Sequence, residues 1–483
     1  MKDENIFRLI VLFIVFMHFE GFLKLFFNYH PLIHGLKYVF ATVFFIIWLV
    51  DIEKFKTPIH YPMILFCIFV FIQLLNPLMW SPGGIIISIL GLFYQIGYLP
   101  LFFIGYKILN KNRLTKLMLL IILLATLSAI TAHVQYKIGV PNYINLMPYT
   151  ATPFVIGHAN VYGPIAFDLI PPNWWYMAGL IFCLYFYFSG EHRLLFSVLG
   201  LNLLAAILMS GLRMSMLLSG VAVCMFLLFR IKQALSSKDI KKIAFALIFA
   251  AVILAFLVTN ILTESQKERY ILLANPIAAY IDQRGFTYLQ IKDTILKYPF
   301  GAGLRHGGIE TNVEADSTEF VNAGDNYFNG VLGELGILGF ISLIVLFYFI
   351  LKKGLANYFS VRDKKSKLTI AAFTSIIFVF MIGSIYGSPN GWMFWMFSAI
   401  VLNTTYLNRN GTDEENKVMD GSVLMSNIKK LFRGSIFNRI IQSGKNKEPL
   451  SFLKNSKTIS FFEKVFDFIK NSMVYKLVKM IID

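Results

Sequence analysis

The stretch Leu117-Met118-Leu119-Leu120-Ile121-Ile122-Leu123-Leu124-Ala125-Thr126-Leu127-Ser128-Ala129-Ile130-Thr131-Ala132 runs without a charged side chain, with Lys116 before it and His133 after it. The hydrocarbon core of a bilayer is about 30 Å thick and takes about 20 largely apolar helical residues. Backbone N–H and C=O groups find no water there, so such a run must satisfy them internally as a helix. Working outward from 115–133, runs of the same kind recur near 8–27, 35–51, 59–79, 84–106, 174–190, 194–210, 214–230, 243–262, 328–350, 368–386 and 391–407. The fold class is therefore an all-α polytopic membrane protein with about twelve transmembrane helices, its membrane domain covering 1–407. The run 84–106 is interrupted by Gly91, Gly97 and Pro100 and reads as a broken or re-entrant helix.

Composition agrees. Of the 483 residues, 57% are hydrophobic and only 15% charged, and the mean hydropathy of +0.65 lies outside the range of soluble domains. The aromatic fraction of 16% suits lipid and the membrane–water interface without naming a function. A net charge of +17 raises nucleic acid as a partner, but in a membrane protein excess Lys and Arg gathers in cytoplasmic loops against anionic lipid, so membrane lipids are expected and nucleic acid is not. Cys67, Cys183 and Cys224 lie in apolar runs without metal-ligand or redox spacing, so neither disulfides nor zinc are expected. No small-residue cleavage site follows the first hydrophobic segment, which reads as a retained helix.

Orientation follows from the short loops. Lys54 and Lys56, then Lys107, Lys111, Arg113 and Lys116, then Arg230, Lys232, Lys238, Lys241 and Lys242, then Lys352, Lys353, Arg362, Lys364, Lys365 and Lys367 mark cytoplasmic connections. The alternating connections at 75–83 and 387–390 have no Lys or Arg, and 134–173 has only Lys137. This predicts a multi-pass membrane protein with both termini cytoplasmic. A long outer loop at 263–327 is the expected functional segment, and its basic residues do not overturn the topology because long loops escape the charge rule. The tail, 408–483, is polar and basic. Within it, Phe462, Val465, Phe466 and Ile469 recur at helical spacing, which suits either an amphipathic helix on the cytoplasmic leaflet or a tail without chemistry.

Chemistry-bearing residues cluster in the predicted outer parts. Met209-Ser210-Gly211-Leu212-Arg213 places a guanidinium at a tight turn between two apolar helices, where it serves as a structural ion-pair arginine or as an anion clamp. Pro299-Phe300-Gly301-Ala302-Gly303-Leu304-Arg305-His306 is a glycine-rich turn whose N–H groups can approach a phosphate or sugar, although membrane re-entry turns use the same residues. Asp325, in Gly324-Asp325-Asn326-Tyr327, sits at the mouth of the next helix as a cap or a base. His158, in Gly157-His158-Ala159-Asn160, is more often structural than a ligand. The sequence has no HExxH, Walker loop, Ser-His-Asp order or acidic metal cluster, and neither metal nor cofactor is expected.

At these stretches the chain resembles the O-antigen ligase/polymerase family, membrane glycosyltransferases acting on glycans carried by undecaprenyl diphosphate. Ser210-Gly211-Leu212-Arg213 looks like the family's Ser-x-Ser-Arg turn. Arg284, then Asp293 through Pro299-Phe300-Gly301-Ala302-Gly303, looks like its Arg and Asp-x-Pro-hydrophobic-Gly-x-Gly pattern, with the acid further from the proline. Asp325-Asn326-Tyr327 with Gly333-Glu334-Leu335-Gly336-Ile337-Leu338-Gly339 looks like its His-Asn-x-Tyr-Leu and Glu-Leu-Gly-Ile segments. Leu212 departs from the small polar residue of the pattern, and Asp325 stands where the ligases have His, which favours a polymerase.

The resemblance implies catalytic roles for Arg213, Arg284 and Asp325. It implies substrate contacts from Arg305, His306, Gly301, Gly303, Asn326, Tyr327 and His158. The implied partners are undecaprenyl-diphosphate-linked donor and acceptor oligosaccharides, with a chain-length regulator and a flippase beside them. Two other readings stand against a polymerase: an O-antigen ligase-type transferase, and a lipid-linked oligosaccharide flippase or transporter, which would bury charges near mid-membrane. Glu20 and Lys24, four apart within an early span, are expected to pair with each other or to approach the interface.

Overall fold

A computed structural model describes residues 3–27, 30–50, 57, 59–76, 82–139, 166, 172–210, 212–233, 291–293, 295–304, 327–383 and 390–403. These residues form twelve helices: α1 (Asp3–Phe26), α2 (Pro31–Val50), α3 (His60–Leu74), α4 (Pro82–Ile96), α5 (Leu99–Ile108), α6 (Lys111–Ile138), α7 (Asn173–Ser189), α8 (Arg193–Met209), α9 (Arg213–Gln233), α10 (Tyr327–Ser360), α11 (Lys364–Ile382) and α12 (Gly391–Leu402). No strand occurs among the described residues. Among the described residues six segments are long and apolar enough to cross a membrane, and shorter apolar helices pack with them. The protein is a multi-pass membrane protein. The expected span at 243–262, most of the 263–327 loop and the tail at 408–483 lie outside the described residues.

The run 84–106 divides into α4 and α5 at Gly97 and Tyr98. The Gly97 N–H closes the last turn of α4 onto the Phe93 carbonyl at 2.7 Å, and Pro100 occupies the first turn of α5, where its missing N–H costs nothing. A second break was not foreseen. Gly336 interrupts α10 with φ +70° and ψ −176°, a conformation open to glycine and strained for other residues. Beyond it α10 continues to Ser360, ten residues past the expected end at 350. There Lys352 extends along its own helix to the Tyr348 ring, 5.5 Å from its centroid, so the charge reaches the boundary while its stem stays against apolar surface.

The centre of the bundle is α7, α11 and α12, helices apolar all round, as full burial demands. Trp175 meets Trp392 at a centroid distance of 5.6 Å, and Phe182 packs against Phe373 and Phe397 at 5.0 and 6.0 Å. Apolar side chains that stay exposed, such as Ile68, Phe71 and Ile72 on α3 and Leu338, Ile341 and Ile344 on α10, form the surface that lipid covers.

One end of the bundle is tied by polar contacts among helix ends. Arg113 joins the start of α6 to the Ile108 carbonyl (2.7 Å) and to Glu4 at the start of α1 (3.5 Å). Lys365, at the start of α11, bonds Glu191 in the α7–α8 turn (2.9 Å). The Tyr358 hydroxyl near the end of α10 donates to the Phe229 carbonyl near the end of α9 (2.6 Å). Among the described residues, Arg113 and Lys365 at the starts of α6 and α11 therefore share one end with the ends of α9 and α10, whose starts lie at the other.

Candidate functional site

At that other end, Ser210 closes α8. Its hydroxyl donates to the Ile207 carbonyl (2.6 Å) and accepts from the Leu212 N–H (3.4 Å), and α9 begins at Arg213. The tight turn expected between two apolar helices is present. The helix macrodipole disfavours a cation at a helix start, so helix stability gives no account of an arginine at this position. Only the backbone of Arg213 is described.

The Pro299–Leu304 segment lies at the same end, locked between α3 and the start of α10. Its backbone needs glycine at two points, with φ +94° at Gly301 and +101° at Gly303. The Ala302 N–H donates to the Gly333 carbonyl (2.7 Å), and the Ile337 N–H donates to the Pro299 carbonyl (3.0 Å). That second bond uses the donor freed by the Gly336 break, so the break and the turn satisfy each other. From α3, Gln73 Nε2 donates to the Phe300 carbonyl (2.5 Å), and Asn76 Nδ2 reaches both Gln73 Oε1 and the Gly301 carbonyl (3.0 Å each). A Cβ at Gly301 would lie 2.5 Å from the Glu334 carbonyl oxygen. Ala302 and Leu304 are buried beneath the turn while Phe300 is 78% exposed.

Two of the segments on which the resemblance was read, Pro299–Gly303 and Gly333–Gly339, thus fold against each other. Glu334, buried in the second, accepts from Gln95 Nε2 on α4 at 3.0 Å. Gln73, Asn76 and Gln95 were missed in the sequence. Their only signal was an amide side chain within or at the end of an apolar run.

A buried charge cluster stands at the same end. Glu20 Oε1 meets Lys24 Nζ at 2.8 Å, as the spacing of four predicted, and also Lys37 Nζ of α2 at 3.3 Å. Lys37 is 2% exposed and lies near the rings of Tyr38 and Tyr94.

Of the other candidates, Gly301 and Gly303 shape the turn, and Tyr327 is the first residue of α10. Arg284, Arg305, His306, Asp325, Asn326 and His158 lie outside the described residues. Among the described residues no His, Cys, Asp and Glu side chains group as metal ligands.

No protein-family model and no curated protein matches the chain. A solved structure described as "Structural coordination of polymerization and crosslinking by a peptidoglycan synthase complex" contains a chain similar to this one at 15% identity and a TM-score of 0.43. The match covers 73% of this chain and 98% of that one. At that score the likeness assigns neither fold nor activity.

Proposed function

We propose that the protein is a polysaccharide polymerase of the bacterial plasma membrane, with both termini cytoplasmic. It transfers glycan from an undecaprenyl-diphosphate-linked donor to a sugar hydroxyl of a lipid-linked acceptor repeat at the outer face. Supporting this reading is one observation: the α8–α9 turn bearing Arg213, the Pro299–Gly303 turn and the start of α10 share the end of the bundle opposite Arg113 and Lys365.

In the reaction, the acceptor oxygen attacks the anomeric carbon as the carbon–oxygen bond to the diphosphate breaks. The electron pair leaves with the diphosphate, whose charge Arg213 and Arg284 hold bidentately. Asp325 takes the hydroxyl proton, and direct displacement inverts the anomeric centre. Arg305, His306, Asn326, Tyr327 and His158 line the sugar path, and Gly301 and Gly303 shape the buried turn that supports it rather than offering main-chain groups to the sugar. Because arginines carry the charge, transfer should persist in excess EDTA.

A second reading is a translocator of lipid-linked oligosaccharide; the Lys24–Glu20–Lys37 cluster is buried as a transporter's charges are, but it stands toward one end of the bundle rather than at mid-membrane. Proteoliposomes of the purified full-length protein, given lipid-linked repeat, separate the two. Lengthened glycan with EDTA present supports the polymerase, and movement of unlengthened repeat between leaflets supports the translocator.

A further inference from the structure

Arg230 stands in the last turn of α9, next to Phe229, whose carbonyl takes the Tyr358 bond at the end of the bundle that also holds Arg113 and Lys365. It belongs to the packed stripe of that helix: Ser219, Ala222 and Phe226, which precede it at helical spacing, are buried, and Arg230 itself is 6% exposed. Leu217, Cys224 and Leu228 carry the exposed stripe. A long basic side chain near a helix end ordinarily turns its head toward water. This one is turned in among helices. Its guanidinium lies over the Phe188 ring of α7, 5.6 Å from the centroid, and its Nε and Nη1 are buried without a hydrogen-bond partner.

The helices around it supply no counter-charge. α7, α8, α9 and α11 contain neither Asp nor Glu, and the single acid of α10, Glu334, lies at the opposite end of the bundle. Two described acids stand in the turns beside these helices, and both are engaged. Glu191 bonds Lys365 at 2.9 Å, and Asp363 accepts from the Ser366 N–H and hydroxyl at 2.8 and 2.7 Å. The C-terminal end of the α9 dipole and the Phe188 ring each favour a cation, but each offsets only a fraction of what desolvating an ion costs. A guanidinium so placed suits an anion with several acceptor oxygens.

We propose that Arg230, walled by Phe188, binds a phosphate group at this end of the bundle, carried by an anionic phospholipid headgroup or by inorganic phosphate. A phosphate presents three or more acceptor oxygens to the planar fork, and charge-assisted bonds of that kind are the strong ones. The end of a membrane-spanning helix lies at the boundary where headgroup phosphates gather. The proposal does not depend on the polymerase reading.

The test uses delipidated full-length protein in dodecyl maltoside, a detergent without phosphate. Phosphatidylglycerol, inorganic phosphate or sodium chloride is added at equal ionic strength, and melting temperature and retained lipid in native mass spectra are read. The wild type should melt higher with a phosphate-bearing additive than with chloride. A larger gain and retained lipid with phosphatidylglycerol identify the headgroup as the source, and an equal or larger gain with inorganic phosphate identifies the free anion. No gain from either overturns the site. Arg230→Met should lose the gain and, in chloride alone, melt above the wild type, because it removes a buried charge without a counter-charge. Lys352→Gln/Lys353→Gln, exposed on α10 at the same end, should keep the gain. If Arg230→Met keeps the gain, the phosphate binds elsewhere. If it melts below the wild type in chloride, or does not fold, Arg230 is structural. Either result overturns the proposal.

Discussion

The main chain of Phe300 fills the space where a side chain at Gly336 would begin. The break in α10 and the glycine turn before it are two halves of one joint. Any residue but glycine at 336 must shift the Pro299–Gly301 backbone, on which the bonds to Gln73, Asn76 and Ile337 depend. Gly336→Ala should therefore lower the thermal stability of the purified protein, by about 1–3 kcal/mol from the positive-φ backbone alone and more from the overlap. Gly220→Ala, in α9 with open space around it, should be silent or slightly stabilising in the same melt. Equal melting temperatures for the two variants would contradict the joint.

Gln73→Leu keeps the approximate volume and removes both the donor to Phe300 and the acceptor for Asn76. Each polar group left unsatisfied in a buried setting costs about 1–3 kcal/mol, so destabilisation of that order is expected. Limited proteolysis within 298–304 should accelerate. Unchanged cleavage would show that α3 does not hold the turn.

Asp363 caps α11 outside the membrane. Partial burial works against its ionisation, but the two bonds from Ser366, the Lys365 N–H and the nearby Lys111 charge together hold the carboxyl below its usual range. A depressed folded value means that the stabilisation is present at neutral pH and is withdrawn as the pH falls below the ordinary carboxylate value and through the folded one. Asp363→Ala should cost about 0.5–2 kcal/mol at neutral pH. Its melting temperature should approach that of the wild type as the buffer is acidified, and a constant gap between the two would contradict the cap's ionisation.

What the sequence discloses here is what is local. Apolar runs, Gly97 and Pro100 at the α4–α5 break, and Glu20 with Lys24 four apart can all be read along the chain. Lys37 cannot be read as their partner, because it arrives from another helix. Nor can Gln73 be read as the residue that holds Phe300, 227 positions away. The glycines of 299–303 announce a tight turn but not the wall it packs against. Gly336 looks like one more small residue in an apolar helix until its N-terminal neighbours are seen folding over the turn. The proposed site is legible only as residue types, Arg213, Arg284 and Asp325, and the described residues show the joint of 299–304 with the start of α10.

Asp325→Asn separates a base from a cap. Asn keeps the capping oxygen and cannot take a proton at neutral pH. As a base, Asp325 should yield a variant that inserts normally, binds lipid-linked donor and loses on the order of 10²-fold or more in transfer rate. Full activity in Asp325→Asn, with Asp325→Ala about 1 kcal/mol less stable, would reassign it as a cap. Proton acceptance would then pass to His306 or His158.

The measurement that reaches the central claim is the rate of glycan lengthening by purified wild type, Arg213→Ala and Arg213→Lys, each normalised to folded protein and supplied with the same lipid-linked repeat. If Arg213 holds the departing diphosphate, the wild type makes polymer. Arg213→Ala makes none at equal abundance, and Arg213→Lys recovers little, because a point charge does not reproduce the bidentate fork. Polymer at the wild-type rate from Arg213→Ala would contradict the arginine clamp. Absence of any lengthening by the wild type would contradict the polymerase.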